Sequence, residues 1–225
     1  MVVSANTRGH DLATVLWAGH SMRAGGSAWE RYEEVPYDLD AWMALVAGIG
    51  DGRAVLAGHG TGAAKAVYYQ ACAADPRVAG IVAASPSVAR SVPPERLQLA
   101  QRMVAEGCGE SLLPPVQGSE PWSLVAAQAV VSRDAVAARA FRPHGGAAWI
   151  RAVQSPLLAF YGTGEEDAVA HLETIRAHAG GPCETQMVQD ADHWYSGRQR
   201  EVSRQIVLWV RGLEPGITSS PVTAR

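Results

Sequence analysis

The chain has 225 residues and a net charge of −3, and charged side chains make up 18% of it. This length fits one domain with a substantial core. The charge balance argues against nucleic acid or a membrane surface as the main partner, because both require a concentrated basic face. Three widely spaced cysteines, without a C-x-x-C pattern, indicate reduced thiols. With no apolar run of ~18 residues and no signal-peptide pattern, the sequence predicts a cytoplasmic protein.

The first third of the chain predicts a short strand, a turn, a loop and a helix. Val2–Ala5 is a strand-like run, and residues 6–11 have turn chemistry. Residues 18–30 are rich in glycine and small polar side chains, which predicts a long loop. A helix follows, because apolar residues recur on one helical face at Leu39, Trp42, Met43 and Val46.

The middle of the chain predicts two buried strands and a helical insertion. Residues 54–57 form an apolar strand, which a glycine-rich turn connects to a helix that ends before Asp75-Pro76. Residues 78–84 predict the next strand. Residues 88–150 contain helical stretches at 95–106 and 123–141 that prolines interrupt, and we interpret this region as an inserted helical cap.

The last third returns to alternating strands and helices. Strands are predicted at 157–161 and 184–188, with a helix over roughly 168–179 between them. A final helix has one apolar face formed by Val202, Ile206, Trp209 and Val210. The tail, residues 214–225, predicts disorder because of its prolines, serines and threonines. The whole pattern indicates a single α/β domain over residues 1–213, with a mostly parallel sheet flanked by helices and reactive groups at the strand C-termini.

Four sequence features occur in the order typical of one family. Gly58-His59-Gly60-Thr61-Gly62, between a strand and a helix, resembles the G-x-S-x-G nucleophile elbow of α/β-hydrolases. Asn6 to Asp11 resembles the family's D-x-R-G-x-G turn, the acidic run after Gly162 resembles the position of its catalytic acid, and Ala191-Asp192-His193 resembles its histidine turn. The resemblance covers nearly the whole chain and is nearest to the small serine esterases and lipase-like members.

The resemblance implies a role for each matching residue. His193 is the general base, since an imidazole titrates near working pH. The acid that orients it is Glu165, Glu166 or Asp167, and the spacing from Gly162 favours Glu165, although an acidic run at this place is also typical of a solvated helix start. The backbone N–H of Thr61 supplies an oxyanion donor.

The remaining histidines and glycines have plainer interpretations. His59 is predicted to be structural, packed beneath the turn. The other histidines lack metal-ligand spacing, so no metal is expected. The G-x-G-x-G run lacks the spacing of a nucleotide-binding loop, so no cofactor is expected either.

Two departures from the family affect the predicted chemistry. Gly60 occupies the position of the nucleophilic serine, so a seryl intermediate is not available there. If Val2–Ala5 corresponds to the family's fourth strand, the three preceding strands are missing, together with the loop that supplies the second oxyanion donor. Val2–Ala5 then pairs directly with Ala54–Ala57, or the edge stays open and invites association with a second copy as a homodimer.

Three functions remain open from the sequence. The first is an enzyme that acts on a small, mainly apolar carbonyl or ester compound, in which His193 and a carboxylate activate water or a substrate hydroxyl, or perform lyase or cyclase chemistry. The second is a non-catalytic pseudo-hydrolase that binds such a ligand. The third is a Ser-to-Gly variant of an ordinary esterase. The apolar preference depends on Trp122 and Trp149 in the cap region, which are equally typical of core residues.

Overall fold

A two-stranded hairpin opens the folded part of the chain. The structure is a computed structural model that describes residues 1–49, 52–88, 92–115 and 124–213. Strand β1 (Thr14–Ala18) pairs antiparallel with β2 (Ser21–Gly25) across a two-residue turn. Gly19 has a φ of 61° at the first turn position, where a tight hairpin favours glycine. The predicted long loop over 18–30 is therefore wrong in its first part, because residues 21–25 form a strand whose backbone pairs with β1.

The main sheet consists of parallel strands in the order β3-β4-β5-β6. They are β3 (Ala54–His59), β4 (Val78–Ala84), β5 (Leu157–Gly162) and β6 (Cys183–Val188). The structure confirms the predicted strands in this region. Because all four strands run the same way, their carboxyl ends share one rim of the sheet.

Helices follow the strands as the sequence predicts. The α-helices of the described residues are α1 (Val35–Ala47), α2 (Thr61–Ala73), α3 (Pro94–Ala105), α4 (Ala127–Ala135), α5 (Ala168–His178) and α6 (Gln199–Gly212). Helix α4 is shorter than the predicted stretch over 123–141, since a 3₁₀ turn at Ala137–Arg139 replaces its second half. Among the described residues, no helix has the length and apolar character needed to span a lipid bilayer.

Both faces of the sheet are buried, which explains the continuous apolar runs of β4 and β5. Successive side chains of a strand point to opposite faces. Ile81 and Ala159 pack on one face with Val67 of α2 and Ile175 of α5. The other face buries Val82, Leu158, Phe160 and Val188 against Tyr195 and Trp209, the latter from α6. Packing on both faces therefore fixes where the carboxyl end of each strand lies at the rim of the sheet.

The region between β4 and β5 has a small apolar cluster of its own. Helices α3 and α4 pack together around Ala100, Leu113 and Val130, with Trp29 against the outside of the cluster. This helical content agrees with the predicted insertion. Trp122 and the tail over 214–225 lie outside the described residues.

The predicted strand at Val2–Ala5 is wrong. Residues 1–7, all of which the structure describes, form no strand, and Val2 is 95% exposed. A run this short gains little by ordering unless a sheet edge accepts its backbone, and here it lies against none. Within the described ranges, β3 is consequently the outer strand of the parallel sheet, with no strand on its other side.

Candidate active site

The elbow turn joins β3 to α2 at the rim of the sheet. Gly60 has φ 55° and ψ −118°, a conformation that glycine adopts at little cost and other residues avoid. Its N–H donates to the carbonyl oxygen of Ala84 across 2.9 Å, which ties the turn to the end of β4. A Cβ atom on Gly60 would meet no other atom within 4 Å. The turn thus holds its central residue in a conformation suited to glycine, and the space beside that residue is open.

His193 and Glu165 form a direct pair at the same rim. Nδ1 of His193 lies 2.7 Å from Oε2 of Glu165. Because a carboxylate only accepts hydrogen bonds, Nδ1 carries the proton and donates it, so Nε2 is the nitrogen without a proton in the neutral form of the ring. The Glu165 side chain is 11% exposed and the His193 side chain is 44% exposed, so the carboxylate is enclosed while the imidazole reaches solvent.

The other two candidate acids lie elsewhere. Glu166 is exposed, and Asp167 is exposed at the N-terminal end of α5 with a φ of 54°. Of the three predicted alternatives, Glu165 is the one that contacts His193.

The second carboxylate oxygen of Glu165 is held by groups that the sequence analysis did not identify. Oε1 accepts a hydrogen bond from the Gly162 N–H at 2.8 Å and another from the Ser85 hydroxyl at 2.6 Å. The Ser85 oxygen also lies 2.5 Å from the hydroxyl of Tyr195. Two signals were present in the sequence: Ser85 directly follows β4 at the reactive rim, and Tyr195 lies two residues beyond His193.

His59 connects the histidine turn to the elbow. Its Nε2–H donates to the backbone carbonyl oxygen of His193 across 2.8 Å, and the two imidazole centroids lie 4.6 Å apart. Since His59 immediately precedes Gly60, this contact brings the His193–Glu165 pair beside the elbow. His59 therefore connects the elbow turn to the histidine turn, whereas the sequence predicted only that it packs beneath the elbow turn.

Thr61 begins α2 and is exposed. The N–H groups of a helix's first turn have no acceptor within the helix. The backbone N–H of Thr61 thus has no acceptor within α2. It lies in the turn against which His193 packs.

An open apolar groove of about 350 Å³ lies on the α6 side of the sheet, and it reaches the candidate site through His59 and Trp194, which are neighbours of Gly60 and His193 along the chain. Its walls include Ala57, Val82, Phe160, Ile206, His59 and Trp194. Trp194 is 73% exposed, and its ring centroid lies 5.2 Å from that of His193. The sequence placed an apolar pocket beneath the helical insertion, whereas none of the residues that line this groove belongs to the insertion over 88–150.

The fold is similar to that of solved structures with which the chain shares little sequence identity. The α/β hydrolase GrgF from Penicillium sp. sh18 is 13% identical, with a TM-score of 0.65 over 84% of this chain and 75% of that one. A highly thermostable carboxyl esterase from Bacillus coagulans is also 13% identical, with a TM-score of 0.61 over 82% and 73%. The metagenome-derived lipolytic enzymes LipS and LipT supply a third structure, 16% identical, with a TM-score of 0.56 over 81% and 74%. No protein-family model matches the chain, and no curated protein matches it by sequence.

Proposed function

The chain has the α/β-hydrolase fold, and from that premise we propose that it is a hydrolase-type enzyme in which His193 and Glu165 act as a general-base pair without a serine nucleophile. The observation that carries the proposal is the 2.7 Å contact between Nδ1 of His193 and Oε2 of Glu165, beside an elbow whose centre is glycine. A histidine oriented by a largely enclosed carboxylate is an arrangement suited to general-base catalysis.

The proposed reaction begins with a water or a substrate hydroxyl in the open space above Gly60. Nε2 of His193 takes the proton of that group while its oxygen attacks the carbonyl carbon. Glu165 stabilises the imidazolium that forms, and the Thr61 N–H stabilises the negative charge on the carbonyl oxygen. The imidazolium then returns the proton to the leaving oxygen as the carbon–oxygen bond breaks, which regenerates the neutral histidine.

The proposed substrate is a small, mainly apolar ester or other carbonyl compound. Support comes from the groove beside His193, whose walls are mostly carbon and whose volume of about 350 Å³ fits a small ligand. Water and hydroxyl nucleophiles are both compatible with this groove, so intramolecular cyclisation of a hydroxy ester belongs to the same proposal.

The proposal is tested by the hydrolysis of p-nitrophenyl acetate and butyrate. We expect slow turnover without an initial burst, because no acyl-enzyme accumulates, and a loss on the order of 10²–10⁴-fold in His193→Ala. Glu165→Gln should also lower the rate, and Glu166→Gln is its matched control, since Glu166 is an exposed neighbour that should not affect the rate. Equal rates in the parent protein and His193→Ala would contradict the proposal. Esters that raise the melting temperature without being hydrolysed would instead favour the ligand-binding function.

A second candidate, the Ser-to-Gly variant of an ordinary esterase, is favoured by the elbow geometry itself. The turn at Gly60 has backbone angles that strain a residue other than glycine, and a Cβ atom there would meet no atom of a surrounding residue within 4 Å. In a serine hydrolase, loss of the nucleophile alone costs on the order of 10⁶ in turnover. We expect Gly60→Ser to give a burst of p-nitrophenolate close to one equivalent of protein if this candidate is right, and an unchanged slow rate if it is wrong.

A further inference from the structure

Two buried hydroxyl groups continue inward from the His193–Glu165 pair. We propose that Ser85 and Tyr195 are positioning residues, which hold the Glu165 carboxylate in the orientation that meets His193. The inference rests on the proposed function of that pair. It adds two residues, from the end of β4 and from the histidine turn, that act on the pair through Glu165.

The direction of the hydrogen bonds follows from the number of protons. The Glu165 carboxylate accepts, so the single hydroxyl proton of Ser85 is donated to Oε1 across 2.6 Å. The 2.5 Å contact between the two hydroxyl oxygens then requires Tyr195 to be the donor. Protons are therefore donated in series from Tyr195 to Ser85, and from Ser85 to Glu165.

Tyr195 is suited to be the permanent donor at the inner end. Burial raises the pKa of Tyr195 to about 12, so its hydroxyl remains protonated at neutral pH. Its oxygen is also 3.2 Å from the Phe160 carbonyl oxygen, a second acceptor for the same proton. Its ring packs on Phe160 with centroids 5.4 Å apart, which fixes the direction of the hydroxyl.

Burial makes these contacts difficult for water to replace. Ser85 is 1% exposed and Tyr195 is 6% exposed. A buried donor or acceptor that loses its partner bears the full desolvation penalty, so the arrangement is held more firmly than a surface hydrogen bond.

The backbone at both residues is strained in the same sense. Ser85 has a φ of 40° and Tyr195 a φ of 55°, in the left-handed region that residues other than glycine rarely adopt. Such conformations persist only where the surrounding structure enforces them, and they cluster at functional sites. The Ser85 N–H donates to the Phe160 carbonyl oxygen at 2.8 Å, which fixes the turn that aims its side chain at Glu165.

These contacts orient the carboxylate of Glu165, whose side chain has several rotatable bonds and starts from a loop. Oε1 is held by the Gly162 N–H and the Ser85 hydroxyl, which leaves Oε2 facing His193. Without the Ser85 hydroxyl, a single backbone N–H holds Oε1, and the carboxylate has more freedom to turn away from His193.

The test is proton NMR of the hydrogen-bonded Nδ1–H of His193, in full-length protein labelled with ¹⁵N at histidine. The low-field resonance is assigned by its disappearance in His193→Gln. We expect Ser85→Gly to speed the exchange of this proton with water at least tenfold, although glycine relieves the strained φ. Tyr195→Phe keeps the packed ring, and we expect it to have a smaller effect. Because the hydroxyls act in series, the double variant exchanges no faster than Ser85→Gly alone.

Tyr69→Phe is the matched control, because Tyr69 is equally buried and donates to a different carboxylate, Asp75, at the far end of α2. We expect it to lower the melting temperature and leave the His193 resonance unchanged. The inference is overturned if the parent protein shows no such resonance, if Ser85→Gly leaves its exchange rate unchanged, or if Tyr69→Phe accelerates it equally. The readout needs no turnover, so the proposed function and the positioning role can fail separately.

Discussion

Gly162 approaches Ala191 so closely that a Cβ atom on residue 162 would lie 2.2 Å from the Ala191 carbonyl oxygen. Gly162 ends β5, three residues before Glu165, and Ala191 lies two residues before His193. The same carbonyl oxygen accepts a hydrogen bond from the Gly164 N–H at 2.9 Å. The acid loop and the histidine turn therefore touch through their backbones, and this contact sets the distance between the two side chains.

We predict that Gly162→Ala separates the pair without altering either of its members. The new Cβ meets backbone atoms that cannot move alone, which predicts a loss of about 1–3 kcal/mol in the free energy of unfolding. A displacement of roughly 1 Å at a reacting group costs on the order of 10²-fold in rate. Urea unfolding and the His193-dependent ester rate check both effects. Gly212→Ala, where a Cβ meets no atom within 4 Å, is the control, and a full rate in Gly162→Ala would contradict the prediction.

The elbow predicts opposite outcomes for two of its glycines. A Cβ on Gly58 would lie 2.3 Å from the carbonyl carbon of Gly62, because the strand passes directly against the first turn of α2. A Cβ on Gly62 would meet nothing within 4 Å. We expect Gly58→Ala to destabilise the protein by about 1–3 kcal/mol. Gly62→Ala should stabilise it by roughly 0.5–1 kcal/mol, since alanine favours the helix. Equal urea midpoints for the two variants would show that the close passage is absent.

Features that depend on neighbouring residues were well predicted from the sequence. Strand β3, the turn at Gly60 and helix α2 follow one another within a short segment, and apolar patterning with glycine punctuation is sufficient to predict them. The choice of Glu165 came from its spacing after Gly162. The structure brings Glu165 to within 2.7 Å of His193, while the role of the pair stays a prediction.

Features that depend on distant partners were not predictable in the same way. Ser85 and Tyr195 are separated by 110 residues along the chain, and only the packing of Phe160 and the histidine turn brings their hydroxyls together. The error at Val2–Ala5 has a similar cause, since an apolar run becomes a strand only where a backbone partner is available. Strands β1 and β2 are such partners for each other across Gly19, but the glycine-rich composition of the segment made it look like a loop.

Asp75 predicts a distinct pH dependence of stability. The Arg77 guanidinium, followed by the Tyr69 hydroxyl, lowers the pKa of Asp75 from 3.8 to about 2. Since the folded pKa lies below the unfolded one, the stability that this group contributes is fully present above pH 3.8 and is lost as the pH falls toward 2.

We expect Asp75→Asn to cost roughly 1.5–3 kcal/mol at pH 6, because hydrogen bonds to a charged group are lost. The difference from the parent protein should shrink between pH 4 and pH 2, which urea unfolding at several pH values measures. Asp11→Asn is the control, because that residue is exposed. A difference that stays constant down to about pH 2 would contradict the assignment.

Lys65 and Glu30 form a buried ion pair that fastens the segment between β2 and α1 to α2. Lys65 Nζ lies 2.5 Å from Glu30 Oε1, and the two side chains are 14% and 5% exposed. Lys65→Met leaves the glutamate buried without its partner, so we expect a loss of about 3–5 kcal/mol in the free energy of unfolding. A second change, Glu30→Gln, removes the stranded charge, and the double variant should be more stable than the sum of the single effects predicts. Urea unfolding of the four proteins measures this coupling.

Glu110→Gln, at an exposed ion pair with Arg31, should change stability by less than about 1 kcal/mol. If the two changes at the buried pair are additive, the ion pair does not hold the β2–α1 segment on α2.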